Sequence, residues 1–408
     1  MAVSVKRKEI AARAPLNARE LMEKLNTDAA RLNIWVRTEM NAPAQRAWFT
    51  DTGGDTGVGE LAPGGRVAAN QLKAVPNRWR WRDYRPLLDR INDIASRADV
   101  SPIEFADRQS ILLTNPGLAG RLQVTPTMRC AISIYTPGDV APAHIHSANA
   151  SRTILSEKGG YTNVEGERCE AVRGDLIITP NGTWHDHGND STTPVIWIDM
   201  LDWPLLEVLD CAWVDLDYKG AGDASNAKIQ KTAHTDGYSG RLYGHGGLKP
   251  TFVPHRRGWG HNPNPMIHYR GADVLEALHG LRLEHGDPYE GIQLEFVNPA
   301  TGGPVGSTLQ YAAQLLRPGE ETLLKRETSS TFMVVMEGHG YTDVGGRRFE
   351  WEPNDIVVLP NFLWRRHVNL GKKDAVLYTV SDASLMKNIG QYRAQGKTTD
   401  GQVVQLVS

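Results

Sequence analysis

The stretch "GYTNVEGERCEAVRGDLIITPNGTW", residues 160–184, returns without a gap as "GYTDVGGRRFEWEPNDIVVLPNFLW", residues 340–364, with 11 identities in 25 positions. Shared turn chemistry would match the glycines, prolines and asparagines. It would not also match Tyr, Thr, Val, Arg, Glu and Trp, so the chain carries two copies of one unit about 180 residues apart. Around each copy, short runs of alternating apolar residues such as "MRCAISIYTPGD" and "PVIWIDMLD" are punctuated by Gly, Pro, Asn and Asp. That texture predicts an all-β-dominated protein built from two sandwiches or barrels.

The rest of the chain sets the frame. At 408 residues it can bury more than one core. A formal net charge of -2 gives no electrostatic reason to expect nucleic acid or an anionic membrane as partner. Three widely spaced cysteines, Cys130, Cys169 and Cys211, suit neither a disulfide framework nor a thiolate zinc cluster. With a charged start lacking the apolar core of a signal peptide, the expectation is a cytoplasmic protein with reduced thiols and no membrane segment.

"LNARELMEKLNTDAARLNIWVRTEM", from residue 16, is read as the one extended helical stretch, with Leu21, Leu25, Ala29 and Leu32 on the docking face. "TDTGGDTGVGELAPGGR" is a glycine-rich loop without the flanks of a phosphate cradle. Residues 218–265 read as a Gly/Asn/Pro-rich connector whose His234, His245, His255 and His261 lack ligand spacing.

Of the 13 histidines, four fall in two His-x-His pairs, "HIH" at 144–146 and "HDH" at 185–187. A strand alternates faces with period two, so His144 and His146 project to one side. A third histidine, His185, arriving after the Pro180-x-Gly182 turn, can close a facial triad. The pattern of Gly138, five residues, His144-x-His146, then Gly174, five residues, Pro180-x-Gly182, two residues, His185, three residues, Asn189, is that of the cupin family. Cupins usually add a Glu four or five residues after the second histidine; here Ala150 and Ser151 stand there and Arg152 follows. Three neutral imidazoles suit Fe, Zn, Cu and Ni alike. His187 points the same way as His185 and reads as a supporting or substrate-facing group rather than a fourth ligand. In the second copy Lys325, Glu327 and Arg365 replace the triad while His367 matches His187, so a metal-free second cupin is expected. The divisions expected are a helical and loop segment over 1–100, a metal-binding cupin over 101–217, a connector over 218–285 and a degenerate cupin over 286–408.

The stretches "NPGLAG", "TPTM", "APAHIHSANASR", "GDLIITPNGTWHDHGND" and "WIDMLD" resemble the bicupin ring-cleaving dioxygenases that act on gentisate, salicylate and 1-hydroxy-2-naphthoate. The resemblance runs from "VPNRWRW" at residue 75 through "SDASLMKNIGQYR". It implies Fe(II) on His144, His146 and His185, an aromatic hydroxy-carboxylate and O2 as reactants, and a homo-oligomer, a tetramer in that family. It implies ring opening between the carboxyl- and hydroxyl-bearing carbons. Arg152, facing the pocket from the His-x-His strand, and Arg108 are then the cationic partners of the carboxylate. His187 would contact the substrate oxygens, and Asp199 would line the site.

Two departures stand out. Where the family commonly has an aromatic residue and a Gln, this chain has Arg129 and Ser133. An inward Arg129 removes a stacking wall, adds positive charge and fits a substrate with a further polar or anionic ring substituent. The rival readings are a non-oxygenase cupin, an isomerase or a decarboxylase, and a non-catalytic bicupin that stores or senses small molecules. The lost second site disfavours the decarboxylase, and the surviving triad disfavours the storage reading.

Overall fold

The structure, a computed structural model, describes residues 17–37, 73–95, 109–118, 120–223, 228–234, 236–248, 250–252 and 264–407. The first barrel pairs two sheets. The larger has the order β1-β3-β4-β11-β6-β9-β13, built from β1 (Ile34–Arg37), β3 (Ser110–Leu113), β4 (Arg129–Tyr135), β6 (Ala150–Ile154), β9 (Leu176–Thr179), β11 (Val195–Leu201) and β13 (His268–Tyr269). The smaller has the order β12-β5-β10-β7-β8, from β5 (Val140–His146), β7 (Lys158–Val164), β8 (Glu167–Val172), β10 (His185–Gly188) and β12 (Val214–Asp215).

The second barrel repeats the plan. Its sheets run β14-β15-β22-β17-β20-β2 and β19-β18-β21-β16-β23-β24. The first contains β2 (Asn77–Trp79), β14 (Ile292–Glu295), β15 (Gln310–Leu316), β17 (Thr331–Glu337), β20 (Ile356–Leu359) and β22 (Ala375–Ser381). The second contains β16 (Lys325–Glu327), β18 (Gly340–Val344), β19 (Arg347–Trp351), β21 (Arg365–Asn369), β23 (Ala394–Lys397) and β24 (Val403–Val407).

The repeat extends to backbone shape. Gly174 and Gly182 turn with φ of +83° and +70°. At the matching places in the second copy, Asn354 and Phe362 hold φ of 67° and 58°. Asn tolerates this region, whereas Phe rarely enters it, so the fold imposes the turn even where the glycine is lost.

Strand alternation divides the side chains of β4 between two environments. Cys130, Ile132 and Ile134 join a core shared with the second barrel's Phe332, Val334 and Tyr378. Arg129, Ala131, Ser133 and Tyr135 line a cavity inside the first barrel.

The N-terminal segment stitches the barrels together. Helix α1 (Ala18–Ala30) starts in a capping box between Asn17 and Glu20. It buries Ala18, Met22, Leu25 and Ala29, so Met22 rather than Leu21 leads its docking face. The expected helix does not run on through residue 40: β-branched and aromatic residues at Ile34, Trp35 and Val36 form β1, paired with β3.

A second helix, α2 (Trp81–Ala95), was not read from the sequence. Pro86 inside it removes a backbone donor and obscures the pattern, yet Tyr84, Leu87, Leu88, Ile91 and Ile94 are all buried. Asp355 of the second barrel accepts from the Trp81 backbone N–H at its start, and Tyr84 Oη donates to the Asn354 carbonyl. The expected glycine-rich loop, His255 and His261 lie outside the described residues. His234 stacks on Tyr238, and His245 is exposed.

Candidate metal centre and substrate cavity

His144 and His146 stand on one face of β5, and β10 lies antiparallel to it with His185 opposite His144. All four histidines of the two pairs are buried. Ring centroids are 4.2 Å apart for His144 and His185, 4.7 Å for His146 and His185, and 5.9 Å for His144 and His146. Asp186, between His185 and His187, faces the other way and accepts from the Gln230 backbone and side chain.

Hydrogen bonding distinguishes the four. The Nδ1 of His144, His146 and His185 each lies 2.9 Å from a backbone carbonyl, those of Pro142, Ala148 and Thr183. A carbonyl only accepts, so each Nδ1 carries the proton and each Nε2 the lone pair a metal needs. His185 Nε2 is buried with no hydrogen-bond partner. Burial, reinforced by the neighbouring imidazoles and Arg152, holds His185 well below the usual histidine range and keeps it neutral. A buried orphan acceptor among neighbouring imidazoles fits a divalent cation.

Distance alone selects a different set from the expected one: among the described residues, one ligand atom from each of His144, His185 and His187 falls within 4.8 Å of the others, with His187 in the place expected for His146. Its contacts argue against ligation. Arg152 Nη2, which can only donate, lies 2.8 Å from His187 Nε2, and Thr162 Oγ1 lies 3.0 Å from Nδ1. The lone pair of Nε2 therefore faces a guanidinium, and Nδ1 donates to the threonine.

Arg152 is not on the His-x-His strand, as the sequence reading had it. Ser147 to Asn149 turn the chain, and Arg152 sits on β6, in the larger sheet. From there it reaches His187, donates to Thr179 Oγ1 at 3.2 Å and pairs with Asp199 Oδ1 at 3.2 Å. Asp199 lies opposite it on β11. The other carboxylate oxygen accepts from Ser133 Oγ at 2.6 Å and Trp197 Nε1 at 3.2 Å.

Ser133, His144, His146, Arg152, His187, Trp197 and Asp199 line one cavity of about 350 Å³. Arg129 lines it, and its charge is offset by Glu207, whose Oε1 lies 2.9 Å from Nη2. Arg108 lies outside the described residues. The cavity also exposes Trp35 from β1 and Trp203 from helix α3 (Trp203–Val208). Neither was singled out from the sequence, because a tryptophan in a strand or helix carries no signal of which cavity it will face. Thr162 and Glu207 were missed for the same reason.

In the second barrel, β16 and β21 put Lys325 opposite Arg365, as His144 stands opposite His185. Among the described residues that place holds an ion-pair network. Glu290 Oε1 accepts from Lys325 at 2.8 Å and Arg365 at 3.1 Å, and Glu327 also pairs with both cations. Burial would raise Glu290, but Arg365 and Lys325 pull it down to about 2.

The family model of the cupin domain matches residues 131–201 and 313–381, one match in each barrel. The chain is 36% identical to a 5-aminosalicylate 1,2-dioxygenase of Comamonas sp, over 80% of this chain and 83% of that one. It is 33% identical to gentisate 1,2-dioxygenase 1 of Aquipseudomonas alcaligenes, over 71% and 79%. A crystal structure of salicylate 1,2-dioxygenase from Pseudoaminobacter salicylatoxidans with gentisate superimposes with a TM-score of 0.70 at 28% identity, covering 80% of this chain and 86% of that one. With two cupin barrels, a buried histidine centre in the first and relatives of this kind along most of its length, the chain belongs to the bicupin ring-cleaving 1,2-dioxygenase family.

Proposed function

We propose that the protein is an Fe(II)-dependent dioxygenase that opens the ring of a salicylate-type acid, a carboxylate beside a ring hydroxyl, between the two carbons bearing those groups. The carrying observation is the shared tautomer of His144, His146 and His185, set by three backbone carbonyls, with the orphan Nε2 of His185 among them. Fe(II) held by His144, His146 and His185 would supply Lewis-acid activation of the substrate and a route for ring electrons to O2 without an external reductant.

The protein's own groups do the rest. Arg152 is the buried cation that meets the substrate carboxylate, and Asp199 holds its Nε side in place. Once a carboxylate engages that guanidinium, His187 Nε2 becomes available to take the proton of the ring hydroxyl, with Thr162 fixing the ring. Ser133 supports the second oxygen of Asp199. Arg108 serves as a further carboxylate partner.

Three free cysteines, two of them buried, support a cytoplasmic location, and no helix among the described residues is long and apolar enough to cross a membrane. Family resemblance supports a homotetramer. The deciding experiment is anaerobic reconstitution with Fe(II), followed by oxygen-electrode and ultraviolet assays on salicylate, gentisate, 1-hydroxy-2-naphthoate and 5-amino- and 5-nitrosalicylate. Stoichiometric O2 uptake with a new ring-opened absorbance is expected. Bound iron with no uptake on any of them would overturn the reading.

A further inference from the structure

The larger sheet of the first barrel presents its cavity-facing residues in rungs. Ala131 on β4, Asp199 on β11 and Arg152 on β6 form one rung, through the register Asp199 to Ala131 and Asp199 to Arg152. Arg129, Leu201 and Ala150 form the next. Successive rungs on one face are two residues apart, about 7 Å along a strand, close to the width of a substituted benzene ring.

The inner rung touches His187 through Arg152 and so lies against the histidine centre. The outer rung is apolar except for Arg129. That guanidinium is fixed from three directions: Nε donates to the Leu122 carbonyl at 2.9 Å, Nη2 pairs with Glu207, and the group lies 5.8 Å from the Trp203 ring centroid. Glu207 is itself held by Trp203 Nε1, four residues earlier on α3. The side chain of Arg129 is 15% exposed, and it lines the cavity. A cation on a preset scaffold loses little rotamer freedom on binding, unlike a mobile surface arginine.

We infer that Arg129, held by Glu207 and Trp203, is a specificity-determining residue that recognises a compact hydrogen-bond-accepting or anionic substituent on the ring edge remote from the carboxylate and hydroxyl. The substrate class is a salicylate-type acid bearing a nitro, sulfonate or second carboxylate group there. This rests on the ring-cleavage reading above. A guanidinium offers planar paired donors that match such groups, whereas an unsubstituted edge leaves it facing apolar ring carbon. Glu207 supplies the neutralising charge from behind, so a neutral nitro group and an anionic sulfonate are both accommodated.

The test compares the wild type with Arg129→Met, Arg129→Lys and Glu207→Gln. Two quantities are measured: kcat/KM for 5-nitrosalicylate and 5-sulfosalicylate relative to salicylate, and anaerobic dissociation constants of the Fe(II)-loaded proteins by quenching of tryptophan fluorescence. The wild type should prefer the substituted acids by about tenfold or more, the worth of one charge-assisted hydrogen bond. Arg129→Met should collapse that preference to within about threefold, and Arg129→Lys should retain part of it. Glu207→Gln should shift preference further toward sulfonate over nitro, because the cation loses its counter-charge. An equal response to salicylate and the substituted acids in the wild type, or a preference unchanged in Arg129→Met, would overturn the inference. If nothing is turned over, the ring-cleavage reading fails on its own, while the binding ratios still decide the role of Arg129.

Discussion

Arg152 Nη2 lies 2.8 Å from His187 Nε2, and this contact sets His187 apart from His144, His146 and His185, whose Nδ1 atoms each lie against a backbone carbonyl. A guanidinium cannot accept, so the contact turns the His187 lone pair toward a fixed cation. His146, farther along the barrel wall, has its Nδ1 proton on the Ala148 carbonyl instead.

Removing each of these imidazoles should therefore have different consequences. His146→Ala is expected to lower metal affinity by more than about a hundredfold, beyond the loss that supporting groups alone produce. His187→Ala should keep stoichiometric iron yet lose turnover. Metal analysis after dialysis checks this, and iron lost from His187→Ala but retained by His146→Ala would reverse the assignment.

Thr162 fixes His187 from the neighbouring strand, where the two residues are register partners on β7 and β10. Thr162→Val keeps the shape and deletes the acceptor. We expect kcat to fall by up to about 100-fold, the lower range of what a positioned acid–base group contributes, with iron content unchanged. A kcat equal to wild type would remove Thr162 from the positioning of His187.

His268 on β13 pins the connector to the first barrel. Burial alone would lower it, but the hydrogen bond from Nε2 to Asp175 and the Asp236 carboxylate 3.4 Å from Nδ1 hold it well above the usual histidine range. Arg270 shares Asp236, and the buried Cys169 is itself raised and stays neutral. A raised folded value means the stabilisation is complete below the unfolded histidine range and disappears as pH climbs through the folded value. Thermal unfolding of the wild type should weaken on the alkaline side, and His268→Gln should flatten that slope while costing about 3 kcal/mol at neutral pH. A pH profile identical in both proteins would refute this.

The network in the second barrel has the opposite sign. Glu290 is depressed to about 2, so its contribution is present above the unfolded carboxylate range and is lost as pH falls toward that value. Arg365→Leu removes one of its two cations inside a buried site and should cost about 3–5 kcal/mol. Denaturant melts should show the loss, while the iron content of the folded fraction stays at wild-type level. A stability change below about 1 kcal/mol would mean that Lys325 alone suffices for Glu290.

Much of this was legible in the linear chain, because β-structure writes its faces with period two and its turns in Gly, Pro and Asn. The duplicated stretch at 160–184 and 340–364 announced the two barrels, and the spacing of His144 and His146 placed both imidazoles on one face, since local strand geometry fixes which side chains point together; His185 joins them through the pairing of β10 with β5. Helix α2 was hidden by Pro86, and β1 by its continuity with α1. What the chain could not reveal depends on which strands become neighbours. Arg152 reaches His187 only because β6 and β10 face each other across the barrel, and Arg129 meets Glu207 only because α3 folds back over β4. Glu290 became the counter-ion of Lys325 and Arg365 through a pairing of segments 35 and 75 residues apart. Residue type and spacing determined what could bind a metal; the closure of the barrel decided which charges meet, because charge pairing depends on distance in space and not on distance along the chain.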